Sequence, residues 1–174
     1  MKADELRSLQ APLKERYRED PDAALVTLRA QGRIGEGVTC RVETGKALVE
    51  AGLHPATGGT GAMVCSGDIL LEALAACAGV TMSAVATAIG VEIRSGIVRA
   101  EGDLDFRGTL GVSKEVPVGF QRVRLHFHLT TDASDEQLTT LVRLTERYCV
   151  VYQTLRQPPV IEVSRHVVTA ETER

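Results

Sequence analysis

Hydrophobic and polar residues alternate most regularly over Arg122–Leu129, where Val123, Leu125, Phe127 and Leu129 interleave with Arg122, Arg124, His126 and His128. Side chains two apart share a strand face, so this spacing predicts a strand with one buried and one wet face. Residues 68–89 follow a different rule. They are apolar almost throughout, and Ala73, Ala75, Ala76, Ala78, Gly79, Ser83, Ala84 and Ala86 permit close approach by a second helix. That predicts a long helix buried on nearly all sides. Ser134-Asp135-Glu136-Gln137 has the form of a capping box and opens a second helix. Leu138, Leu141, Val142, Thr145 and Cys149 form one stripe of it. Pro158-Pro159 ends that helix, and residues 160–168 read as a last strand.

Further strands are expected over 24–33, 37–43, 46–51, 91–94 and 97–107, with Thr44-Gly45 as a hairpin tip. Residues 54–67 are rich in Gly and Thr and form a loop without the Lys or glycine spacing of a phosphate cradle. Leu6, Leu9, Leu13 and Tyr17 recur at helical spacing, so residues 1–22 are expected as a helical arm ahead of one domain over 23–174. The resulting order, β-β-β-α-β-β-α-β, predicts an α+β fold with a mostly antiparallel sheet.

Composition narrows the function classes. A chain of 174 residues with 44% apolar content forms one domain with a core, and gains from dimerisation. Aromatic residues are only 3% with no Trp, and the net charge is −3, which argues against a nucleic-acid partner. The four cysteines (Cys40, Cys65, Cys77, Cys149) lack the spacing of a secreted disulfide framework. The N-terminal MKADELRSLQ lacks a signal-peptide core, so the expected compartment is the cytoplasm, where a disulfide is transient and chemical. Residues 69–91 carry one charge, Glu72, and are long enough to span a bilayer. The charged strands that follow favour a buried helix and no membrane.

Candidate chemistry centres on Cys77 and Cys149. Each lies on an apolar helical face, where a thiol is ordinarily a small packing residue. Two helices that cover one sheet become neighbours, and facing cysteines with Cα atoms about 4.4–6.8 Å apart can close a disulfide. Both readings stand on the residues alone. Cys65, in the glycine-rich loop at the start of the long helix, is a candidate third thiol, and Cys40 reads as strand packing. His126 and His128 share a strand face, and His54 or Cys65 would be needed to complete a zinc site. Alternation on a wet strand explains the pair without metal.

The stretch Asp68-Ile-Leu-Leu-Glu-Ala-Leu-Ala-Ala-Cys77-Ala-Gly-Val-Thr81, followed by Arg147-Tyr-Cys149-Val-Val-Tyr-Gln-Thr-Leu155, resembles the OsmC/Ohr family of osmotically inducible and organic-hydroperoxide-resistance proteins. The resemblance covers roughly residues 24–168 and implies an intertwined homodimer with a cysteine in each of two helices. It implies a thiol-dependent peroxidase for organic hydroperoxides, with Cys77 as the attacking thiolate and Cys149 as the resolving thiol. No bound cofactor is implied; an external dithiol, lipoyl-type in some members, restores both thiols. The family activates its cysteine with an Arg oriented by a Glu ten residues earlier, where this chain has Gly67. Asp68 is the neighbouring acid, and Arg33 and Arg41 are the candidate cations. Glu72, five residues from Cys77, lies about 140° around the helix and points elsewhere. The apolar neighbours of both thiols favour substrates with hydrocarbon bodies over hydrogen peroxide. The alternatives are a ligand-binding or redox-sensing protein of the same fold.

Overall fold

The structure is a computed structural model and describes residues 2–5, 8, 10, 11, 19, 31–34, 39–44 and 47–167. The helical arm expected over 1–22 lies mostly outside these residues, as do the Gly45 hairpin tip and the tail from 168. Strands β1 (Gln31–Ile34), β2 (Thr39–Thr44) and β3 (Ala47–Gly52) form antiparallel neighbours, and the short β4 (Val64–Cys65) adds parallel to β3. Helix α1 (Ser66–Ile89) follows, then β5 (Ser95–Asp103), the single-turn α2 (Phe106–Thr109) and β6 (Arg122–Thr130). Two helices, α3 (Asp135–Tyr148) and α4 (Val150–Arg156), close the described fold. The α+β expectation holds.

β5 and β6 form a nine-residue antiparallel ladder from Ser95 opposite Thr130 to Asp103 opposite Arg122. One face of the ladder packs Val98, Ala100, Leu125, Phe127 and Leu129 against helices. The other carries cross-strand charge pairs, with Arg124 reaching Asp103 at 2.5 Å and Glu101 at 3.3 Å. The alternation in β6 thus becomes one packed and one wet face.

α1 stops at Gly90, whose left-handed φ of 74° lets its N–H bond the carbonyl of Ala86. Leu74, Ala78, Met82, Val85 and Ala86 are its buried residues. They sit in two clusters: Met82, Val85 and Ala86 with Val91 and Leu141, and Leu74 and Ala78 with Cys149. α3 begins as expected, with the Ser134 hydroxyl accepting from the Gln137 N–H and the Gln137 side chain accepting from the Ser134 N–H.

Four expectations need correction. α1 is not buried on nearly all sides: Ala73, Ala76, Val80 and Ser83 form an exposed face, with Val80 73% exposed. The sheet, α3 and α4 cover one side, and no described element of this chain covers the other. α1 is also long and apolar enough to cross a membrane by length and composition. Residues 91–94 are a connector, not a strand; Val91 is buried in the core and turns the chain from α1 into β5. The strand expected over 97–107 ends at Asp103, because the Asp105 carboxylate accepts from the Arg107 N–H and starts α2. Residues 158–167 form no strand; Val160 and Val163 are each 91% exposed. A period-two pattern needs a ladder partner, and no described strand lies beside this one.

Candidate active site

The second helix expected from the sequence is two helices. α3 ends and α4 begins at the same residue, Cys149, whose φ of −72° and ψ of 109° are extended rather than helical. Val150 and Val151 follow immediately, and β-branched side chains lose χ1 freedom in a helix, which favours a break here. The Cys149 N–H completes α3 on the Thr145 carbonyl, and the Cys149 carbonyl accepts from the Gln153 N–H of α4. The N–H groups of α4's first turn are therefore left without helical acceptors.

Those donors meet Cys77. Its partly buried sulfur lies on the flank of α1, beside the fully buried Cys149. Burial pushes the Cys77 thiol up. The opposing hydrogen bonds, from the Val151 N–H, the Cys149 thiol, the Thr81 hydroxyl and the Val150 N–H, together outweigh it and hold the thiol below its ordinary range. Cys149 moves the other way. Burial raises it, and its hydrogen bond with Cys77 adds to the rise. Of the two, Cys77 ionises first and Cys149 keeps its proton as a donor to the thiolate. One activated sulfur thus stands against one protonated sulfur, both free.

A cavity of about 740 Å³ adjoins the pair, within the range of small-molecule sites. Leu74, Leu125, Phe127 and Tyr152 line it and also pack against the cluster that holds Cys149. Its polar lining comes from Gln121, Arg122, Glu146 and Arg156. Neither sulfur lines it directly.

The other expected site residues fall elsewhere. Asp68 and Glu72 are exposed on α1. Asp68 stands nine residues before Cys77, about 13 Å along the helix, beyond contact within one chain. Cys65 is twelve residues before Cys77, about 18 Å away along the axis, too far for a disulfide within the chain. It caps the start of α1, receives no hydrogen bond from that helix, and lines two smaller cavities together with His54. Arg33 and Arg41 lie directly opposite one another in the β1–β2 ladder. His126 and His128 stack with ring centroids 6.4 Å apart, and the nearest acid, Glu101, is 3.9 Å from His126. No group of three His, Cys, Asp or Glu residues among the described residues is placed to hold a metal. The sequence reading gave no role to Thr81 or to the backbone of Val150 and Val151. The adjacent β-branched pair after Cys149 was the only signal for the latter.

The sequence model of one protein family, described as OsmC-like protein, matches residues 59–164. The sequence of this chain matched no curated protein. Among solved structures, the fold is similar to an OsmC-like protein from Mycoplasma pneumoniae, with a TM-score of 0.64 and 16% identity over 76% of this chain and 89% of that one. It is also similar to an organic hydroperoxide resistance protein from Elizabethkingia anophelis, with a TM-score of 0.63 and 16% identity over 77% and 91%. A third is the organic hydroperoxide resistance protein OsmC of Legionella pneumophila, with a TM-score of 0.60 and 20% identity over 76% and 91%.

Proposed function

This chain belongs to the OsmC family, and from that premise we propose that it is a thiol-dependent peroxidase for organic hydroperoxides. The observation that carries the proposal is the packing of two free cysteines, Cys77 against the buried Cys149, and the opposite directions in which their surroundings push the two thiols support it. The Cys77 thiolate attacks the outer peroxide oxygen and the O–O bond breaks. The alkoxide leaves and takes a proton from water to become the alcohol, and Cys77 becomes a sulfenic acid. The Cys149 sulfur then attacks the Cys77 sulfur, water leaves, and a disulfide forms. An external dithiol reduces that disulfide by two exchange steps and leaves as its own disulfide. Net, one hydroperoxide and one dithiol yield alcohol, water and oxidised dithiol, with no bound cofactor.

The same reading includes a cytoplasmic homodimer. Its support is the exposed face of α1 and the unpaired apolar residues Val160, Ile161 and Val163, which a second copy would cover. Asp68, Arg33 and Arg41 are then contributors across the subunit boundary. The distance along α1 leaves Asp68 no route to Cys77 within its own chain. Within a single chain, the donors of α4 and Thr81 support the activation of Cys77.

One observation favours a second reading, a ligand-binding protein of the same fold: the large cavity is lined by neither sulfur. Steady-state consumption of cumene hydroperoxide with a lipoyl-type dithiol separates the two. The peroxidase turns over many equivalents per chain. A binding protein consumes none, and a sensor stops after one.

A further inference from the structure

The cavity beside the cysteine pair borders a second one along part of its wall. It shares Leu70, Gly119 and Phe120 with this second cavity of about 390 Å³, which also reaches Leu104, Phe106 and Cys65. Phe120 lines both of these and a third cavity beside Asp68. Its ring is seated where two side chains are missing. A Cβ at Gly102 would stand 2.5 Å from the ring, and one at Gly67 would stand 3.3 Å from its tip. At the neighbouring Gly119 a Cβ would meet nothing within 4 Å.

One stretch of α1 forms part of the wall of both cavities. Leu74 marks the near end, in the cluster with Cys149. Leu70 lies one turn earlier, and Gly67, under the Phe120 ring, lies near the start of the helix. From Cys77 to Gly67 is ten residues, about 15 Å along the axis. Apolar side chains form most of the wall between those points.

We propose that Phe120 sets the length of the hydrocarbon body this site accepts, closing the cavity beside the cysteine pair against the apolar chamber beyond it. The peroxide group lies at the sulfur end, and the alkyl chain runs toward the ring. A chain longer than the wild-type cavity must displace Phe120 or leave its end in water. Removing the ring opens the second chamber to the first. The identity of the substrate rests on the peroxidase reading above, whereas the length limit rests on the cavities alone.

The test is a series of primary alkyl hydroperoxides of increasing length, compared in wild type, Phe120→Ala and Phe120→Leu. In wild type, kcat/KM rises about four-fold per added methylene while the chain is being buried, then levels off or falls at the ring. Phe120→Ala moves that break to longer chains, and Phe120→Leu moves it less. Binding of the matching alcohols, followed by calorimetry on the reduced proteins, shows the same displacement without any thiol chemistry. A break at the same length in all three proteins overturns the proposal, as does a uniform loss at every length in the folded Leu variant. Absence of turnover with an intact shift in alcohol binding overturns the peroxidase reading and leaves the length limit standing.

Discussion

Cys77 and Cys65 are both free, partly buried thiols on or beside the same helix, yet their surroundings differ in kind. Cys65 caps the N-terminus of a 24-residue helix and receives no hydrogen bond from it. Cys77 sits in the interior of that helix, where its own backbone offers nothing. It is served instead by the first turn of another helix, by Thr81 and by a second thiol. In this chain position at a helix start is not what distinguishes the two thiols. A break in a neighbouring helix, which turns unpaired N–H groups sideways onto a sulfur, is.

The contrast can be broken most forcefully by removing each sulfur in turn. Cys77→Ser lowers hydroperoxide consumption by about 10³-fold or more, and Cys65→Ser leaves it within about two-fold, as steady-state assays would show. Comparable losses from both would mean that the two thiols work together.

The next largest effect concerns the support of Cys149. Leu141, 0% exposed, packs α3 against α1 two turns before Cys149. Leu141→Ala costs about 2–5 kcal/mol in denaturant unfolding. It also loosens the sulfur pair, so disulfide formation slows, while alkylation of Cys65 is unchanged.

A smaller and sharper change is Val150→Pro. Proline is accepted at the first position of a helix, and the extended backbone of Cys149 suits the residue before it. The substitution deletes one N–H donor to Cys77 and leaves Val151 and Thr81 in place. The sign follows from the charge: a thiolate that loses a donor ionises at higher pH. The pH midpoint for Cys77 alkylation moves upward, and the rate at neutral pH falls about three- to ten-fold. No change in midpoint would show that the backbone of α4 does not activate Cys77.

Much of this arrangement is legible in the chain. The alternation at Val123, Leu125, Phe127 and Leu129 and the box at Ser134 and Gln137 predict their elements because each signal is local and each found its partner within the chain. Cys77 and Cys149 are legible as a pair for the same reason: their helices cover one ladder. The break at Cys149 is less visible, because a five-member apolar stripe ending in Cys149 reads as one continuous helix. The conformation of one residue then decides where the donors point. Residues 160–167 are rich in Val and Ile, as a strand would be, and form no strand. Pattern states what a segment can bury, not what lies beside it. The exposed face of α1 belongs to the same class, since Ala76 and Val80 read as interior by composition and are uncovered in one chain.

The central claim is that two particular sulfurs exchange a peroxide oxygen for a bond between themselves. It is tested most directly by adding one equivalent of an organic hydroperoxide to the fully reduced protein and mapping peptides under non-reducing conditions. The account predicts loss of two thiols per chain and a single new cross-link joining the Cys77 and Cys149 peptides, with Cys65 still open to alkylation. Recovery of both peptides as free thiols, with the hydroperoxide unconsumed, would contradict it.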